Sequence, residues 1–431
     1  MNIIIVGAGK VGFNLAKELL YHHNITMIDS NADALSLIKE SLDVLTIQGN
    51  ASNIQTYQKL YEKNVELFIA VTNSDNTNIV ATLVASSILE IDSKIIRLQK
   101  LFYKNNNLSD LLHINSLVFP LELSSLGVRN LIKYPKANNI KSFEYTSNKL
   151  ISIRIEQELA FKEESQNRYT IVGYERDKRF FIFHKEDKIL AGDLVYFFGD
   201  EVKIRTLCKE LNSDKEVENC VIYGANELGV LIAKALLSEH KNVKIIDKDR
   251  SLCQKADEEL NGEAIVINNK YSSSELFKSE EIFNADIFIS ATDDDEFNII
   301  KSLEAKEKGI KKVVAINNEL EYYNLMHSLG IVVVRGPKIS ATTHILEQIN
   351  SSNILIQKSF CGGKAIVFLR KIAQEEKKIK IPSHLDCAFY RIQNEKIYPL
   401  QKSIIAKRDD ILVIFCPKEQ EESIRKYLYG L

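Results

Sequence analysis

The chain has 431 residues, more than a single hydrophobic core usually serves, so roughly two to four domains are expected. Hydrophobic residues make up 45% and charged residues 26%, the balance of a soluble globular protein, and a net charge of −2 lacks the basic excess of a nucleic-acid binder. No apolar run reaches the roughly 18–20 residues of a membrane helix, and no charged leader precedes Ile3–Val6, so neither a spanning segment nor a signal peptide is expected.

In chain order, a first apolar run, Ile3–Val6, leads into Gly7-Ala8-Gly9-Lys10-Val11-Gly12 and a helical pattern carrying Val11, Leu15 and Leu19. Strand-like runs follow at Ile25–Ile28, Val44–Ile47, Leu67–Val71 and Ile95–Leu98, each continuously apolar as strands covered on both faces should be. Helical segments such as Ala32–Lys39 lie between them, and this alternation predicts a Rossmann-type, doubly wound parallel sheet. After about residue 118 the alternation stops. A long helix is predicted after Pro120, with Leu123, Leu126, Leu131 and Ile132 on it. Short strands at Leu150–Ile155, Tyr169–Val172, Phe180–Phe183 and Leu194–Phe198 and a helix near Lys203–Leu211 complete a smaller α+β part.

The same order then recurs. Asn2–Gly12 reappears at Asn219–Gly229, Asn24–Asp29 at Asn242–Asp247, and Glu66–Ile79 at Asp286–Ile299. Three matched blocks in one order make the chain two copies of one unit. The expected division is 1–118 and 217–335 as Rossmann-type domains, and 119–212 and 336–431 as crossover helix plus α+β subdomain. Ser213-Asp214-Lys215-Glu216 is read as a polar linker.

Six cysteines (Cys208, Cys220, Cys253, Cys361, Cys387, Cys416) form no C-x-x-C pair or closely spaced His/Cys set, so a reducing, cytosolic setting and no metal are expected. The chemistry concentrates at the first glycine run. In G-x-G-x-x-G after a strand, the first glycine permits the turn, the second admits a pyrophosphate and the third lets helix and strand pack. The helix start offers free N–H groups to phosphates, so Gly7, Ala8, Gly9, Lys10, Val11 and Gly12 are candidate dinucleotide contacts. The alternative is a tight turn that needs glycine only for its φ freedom. Asp29 ends the second strand, where a carboxylate accepts ribose hydroxyls and disfavours a 2′-phosphate, or else caps the following helix. Asn50, in Gly49-Asn50-Ala51-Ser52, and Thr72 and Asn73 follow later strands on the same edge. Thr72 and Asn73 are read as ligand contacts or as caps of the next helix. Arg97 is unusual in a buried strand and is read as a phosphate contact or a salt bridge.

The second copy keeps Gly224, Gly229 and Asp247, but Asn226 replaces the middle glycine, its side chain filling pyrophosphate space while tolerating a left-handed backbone. Asn269-Lys270-Tyr271-Ser272 replaces the Gly-Asn-Ala-Ser block, and Arg97 has no arginine counterpart, since Val313-Val314-Ala315-Ile316-Asn317 fills that strand. A weaker, altered or purely structural second pocket is expected. Asp293-Asp294-Asp295-Glu296 is either an acidic first helical turn or a divalent-cation site. Lys377–Lys380 reads as solvated surface, and His22-His23 as a helix end without a catalytic role.

These blocks resemble RCK (KTN) domains, and two in tandem, each followed by a C-type subdomain, are similar to the TrkA family. The resemblance covers essentially the whole chain and is strongest over residues 1–100; the first C-type subdomain is shortened around Gln157–Arg168. It implies a non-enzymatic, cytoplasmic regulatory subunit that binds NAD(H), and also ATP or ADP, through Gly7, Gly9, Gly12, Asp29, Thr72, Asn73 and Arg97. It also implies a homotetrameric ring, peripheral to the inner face of the plasma membrane and attached to a membrane-embedded Trk-type potassium transporter. The sequence departs from the family at Arg97-Leu98-Gln99, where many relatives carry a second arginine. A nicotinamide-dependent dehydrogenase and a scaffold with vestigial pockets are the competing readings.

Overall fold

The first copy opens with β1 (Asn2–Val6), α1 (Lys10–Leu19), β2 (Asn24–Asp29), α2 (Ala32–Ser41), β3 (Leu45–Gln48), β4 (Val65–Ala70), α3 (Asp75–Ser86), β5 (Ile91–Arg97), α4 (Leu108–Leu111) and β6 (Ser116–Val118). The strands lie in the order β3-β2-β1-β4-β5-β6, parallel throughout, with Ile5 opposite both Met27 and Ile69. Residues 3–6 are all at most 3% exposed because both faces of β1 are covered. Ile4 and Val6 join Ala81 and Ala85 of α3 in one cluster, while α1 packs against β1 and β2. Each such aliphatic side chain removed from water contributes about 1.5–3 kcal/mol. The expectation of five strands covered on both faces fails at β3, an edge strand with Leu45 exposed, and misses β6, too short to show periodicity.

The computed structural model describes all residues except 61–63, 144, 157–168, 212–215, 270–281, 350–354, 383, 401–402 and 430–431. The linker at 213–215, the shortened stretch 157–168 and Lys270 therefore lie outside the described residues. The crossover helix α5 (Pro120–Lys133) begins on proline, whose missing N–H is no loss in a first turn. It leads to β7 (Ala137–Phe143), β8 (Thr146–Arg154), β9 (Thr170–Arg176), β10 (Arg179–Ile182), β11 (Leu194–Gly199) and α6 (Glu201–Glu210). These strands form an antiparallel sheet in the order β10-β9-β11-β8-β7.

The second copy repeats both sheets. Strands β12 (Asn219–Tyr223), β13 (Asn242–Asp247), β14 (Ile265–Asn268), β15 (Ile287–Ser290), β16 (Lys312–Asn317) and β17 (Val332–Arg335) alternate with α7 (Glu227–Leu237), α8 (Arg250–Leu260), α9 (Asp295–Glu307) and α10 (Tyr323–Ser328). Their order, β14-β13-β12-β15-β16-β17, is that of the first sheet. Then come α11 (Pro337–Ile349), β18 (Leu355–Phe360), β19 (Ala365–Lys371), β20 (Glu376–Ile379), β21 (Ala388–Gln393), β22 (Lys396–Pro399), β23 (Ile404–Lys407), β24 (Ile411–Pro417) and α12 (Glu421–Tyr429).

Two compact units result, and they cut across the copies: residues 1–129 with 216–346, and residues 130–215 with 347–431. In the second unit both antiparallel sheets contribute to one core, Phe143 and Phe198 meeting Val367 and Phe415. Beside it Lys141 and Lys358, from equivalent strands, both pair with Glu347 at 3.2 and 3.3 Å. Burial works to raise the Glu347 carboxyl, and the two lysines outweigh it, holding it below the ordinary carboxylate range. All six cysteines are unpaired, and among the described residues no helix is long and apolar enough to cross a membrane.

Candidate functional site

In the first sheet the strand order reverses between β1 and β4, and the loops leaving those two strands bound a crevice at their carboxyl ends. Gly7 has φ +111°, and a Cβ there would lie 2.9 Å from the Thr72 backbone nitrogen. A Cβ on Gly12 would lie 1.9 Å from the Gly7 carbonyl oxygen. Both glycines are therefore demanded by the fold. Gly9 is different. Its φ is −75°, and nothing lies within 4 Å of where its Cβ would be. It is the N-cap of α1, makes no side-chain cap and is followed by no acidic residue in the first turn. The N–H groups at this helix start remain available to an anion, with the positive end of the helix dipole behind them. Val11 offers only its backbone there, since its side chain is 3% exposed in the core.

Asp29 ties this turn down: its carboxylate accepts from Ala8 N–H at 2.6 Å and from Asn31 N–H at 2.8 Å. It does not cap α2. Asn31 does, accepting from Asp33 and Ala34 N–H. The capping reading of Thr72 and Asn73 is likewise corrected, because Ser74 caps α3. Thr72 instead bonds through its N–H and hydroxyl to Asn78 Oδ1, at 2.9 and 2.7 Å. Asn78, fully buried, also donates to the carbonyls of Thr72 and Arg97, clamping the β4 loop to β5. The sequence reading passed over this residue, although its recurrence as Asn298 within the repeat was a signal. Asn50 accepts from Ser52 N–H and shapes the exposed turn after β3.

Arg97 is 7% exposed. Its terminal nitrogen donates to Asn73 Oδ1 at 3.1 Å, while its Nε has no partner. Among the described residues no carboxylate lies within ion-pair distance of it, so the salt-bridge reading fails. Burial pulls this guanidinium below its ordinary range, and nearby Asp75 partly opposes the shift. Asp75 is itself engaged with Gln99 and Lys100 N–H. A buried guanidinium with a free N–H, held through Asn73 beside the loop that abuts Gly7, suits an anionic ligand.

The second crevice has the same frame. Asp247 accepts from Ala225 and Asp249 N–H, and Asn298 repeats the clamp on Thr292 and on β16. Gly224, at φ +120°, and Gly229 repeat the demands of Gly7 and Gly12. Asn226 sits at the N-cap with an extended backbone, φ −72° and ψ 178°, so left-handed tolerance plays no part. Its side chain accepts from Gly229 N–H at 2.9 Å and donates to Asp293 at 3.2 Å. The helix start is thus capped by its own chain. Asp294 caps α9, and Asp295 accepts from Asn318 N–H and its side-chain amide. The acidic run is therefore an elaborated helix start, and among the described residues no cluster suited to a metal ion is present.

Residues 3–120 and 220–337 each match the TrkA-N domain. The chain belongs to the TrkA family. It is 29% identical over 381 residues to the Trk system potassium uptake protein TrkA of Halomonas elongata, covering 85% of this chain and 82% of the relative. It is 25% identical to TrkA homolog 1 of Methanosarcina mazei, over 99% of this chain and 100% of that one. Among solved structures, the GsuK channel bound to NAD matches all of this chain and 79% of its own, with TM-score 0.66 and 17% identity. GsuK bound to ADP matches 81% of this chain and 68% of its own, with TM-score 0.52 and 17% identity. The tandem RCK-type architecture of this TrkA-family chain is therefore shared with GsuK.

Proposed function

We propose that this chain is the nucleotide-binding regulatory subunit of a Trk-type potassium uptake system, with one working site per chain in the first crevice. The observation that carries this reading is the pairing of an uncapped helix start at Gly9 with the partnerless buried Nε of Arg97. The pyrophosphate of NAD(H), or the phosphates of ATP or ADP, fit that pair, and Asp29 stands where a ribose is met. The relatives' names supply the potassium uptake system, and the GsuK structures supply NAD and ADP as ligands of this fold.

The crevice offers backbone N–H groups, hydroxyls, amides and a guanidinium, which bind and orient a ligand. This favours a sensor over a dehydrogenase. Bound nucleotide biases the assembly only by the difference in its affinity for two shapes, so NAD(H) and adenine nucleotides must contact those shapes differently. We assign the chain to a homotetrameric ring that passes this bias, from the cytoplasmic side, to a membrane-embedded potassium transporter. Calorimetry with NADH and ATP tests the site. The wild type should bind about one nucleotide per chain, and Gly9→Val should lose at least about a hundredfold in affinity with its melting temperature kept, because only the ligand uses that space. No heat from the wild type, or undiminished binding by Gly9→Val, defeats the reading. A monomer in light scattering defeats the ring.

A further inference from the structure

Lys10 is the first residue of α1, where a cation opposes the helix dipole. Its ammonium does not turn to its own copy. It pairs with Glu319, which follows β16 at the carboxyl edge of the second sheet within the same compact unit. Glu319 is built into place: Asn317, 1% exposed, accepts from the Glu319 N–H at 3.2 Å and donates to its carbonyl at 2.6 Å. The neighbouring Glu296 carboxyl is held below its ordinary range, first by its bond with the Tyr322 hydroxyl and in smaller part by Lys10 itself.

The equivalent first-copy positions explain why. The equivalent buried carbonyls and backbone amides, bonded by Asn78 and Asp75 in one copy and by Asn298 and Asp295 in the other, set Arg97 against Ile316 and Lys100 against Glu319, so the second crevice has lost two cations and gained an anion. With Asn226 stopping its helix start and Asp293 beside that side chain, its chemistry is that of a cation acceptor. We infer that the second crevice serves as a receptor for the Lys10 side chain, and that Glu319 competes with nucleotide phosphates for Lys10 and thereby sets the affinity of the first site. This rests on nucleotide binding at Gly9. When phosphates draw Lys10 back to the start of α1, Glu319 is released, and occupancy of one crevice alters the other. The ion pair is solvent-accessible on both sides, so its effect is modest and falls with salt.

The test is titration of ATP and NADH into the full-length wild type, Glu319→Gln, Lys10→Gln and the double variant, at low and high salt. Glu319→Gln should bind about two- to fivefold more tightly than wild type at low salt, with the gain shrinking at high salt. Lys10→Gln should bind more weakly, and the double variant should match Lys10→Gln, since Glu319 acts only through Lys10. Unchanged or weaker binding by Glu319→Gln, or independent and additive effects in the double variant, would overturn the competition while leaving the nucleotide site standing. A wild type that binds neither nucleotide would defeat the site itself, and this inference with it.

Discussion

Position for position, the first crevice presents Gly9, Asn73, Arg97 and Lys100 where the second presents Asn226, Asp293, Ile316 and Glu319. Beneath them the two frames coincide: Gly7 and Gly224 at positive φ, Gly12 and Gly229 against the strand, Asp29 and Asp247 on the glycine turn, Asn78 and Asn298 across the next loop. Residues the fold needs for its own geometry are kept in both copies. Those it does not need are where the copies part. Asp29 belongs to the first group: its partner Asp247 makes the same backbone bonds beside a helix start that is already capped. Asp29 therefore holds the turn besides facing the ribose position, and loss of binding in Asp29→Ala would also report a loosened turn.

The largest expected effect tests the shared frame. Gly12→Ala and Gly229→Ala each force a Cβ to within 1.9 Å of a carbonyl oxygen, a backbone clash no side-chain motion relieves. Each should destabilise by about 3 kcal/mol, the upper part of the overpacking range, and lower its melting transition by several degrees. A loss confined to Gly12 would mean the frames are not equivalent. Gly224 belongs with these residues because of its φ of +120°, so a bulky substitution there strains the turn whatever it does to ligand.

Next comes the difference in charge. Arg97→Met removes a buried guanidinium whose Nε is unpaired and replaces it with an apolar side chain of similar length. Nucleotide affinity should fall by about 10- to 100-fold, the worth of a charged hydrogen bond. The ligand-free protein should melt no lower than wild type, since a buried cation without a counter-ion does not stabilise the fold. Calorimetry and thermal melting read the two outcomes separately. Unchanged affinity together with a lower melting temperature would make Arg97 a structural residue and erase the contrast with Ile316.

Much of this contrast was legible in the sequence, because a strand–turn–helix with fixed glycines leaves one-residue signatures. The repeat, the doubly wound order and the exchange of Gly9 for Asn226 all follow from local patterns. What escaped depends on residues distant in sequence. Caps were misplaced by two residues at Asp29 and at Thr72, since Asn31 and Ser74 are as good acceptors and only the backbone path chooses between them. For Arg97, an ion pair and a phosphate contact read equally from the sequence, and only the fold shows that among the described residues no carboxylate lies within ion-pair distance of it. Lys10 and Glu319, 309 positions apart, carry no pattern that could have joined them.

The smallest effect probes the plug in the second crevice. Asn226→Gly removes the amide that bonds Gly229 and Asp293 and restores the glycine of the first copy. Glycine is itself tolerated at an N-cap, so stability should change by only a few tenths of a kcal/mol. Binding stoichiometry should stay near one nucleotide per chain, because Asp293, Asp294 and Glu319 still line that edge and Ile316, at the position of Arg97, supplies no positive charge. A second nucleotide bound by Asn226→Gly alone would show that one amide, rather than the reversed charge, closes the crevice. If a second nucleotide bound only after Glu319→Gln was added, electrostatics would be the barrier, and steric filling would rank below it.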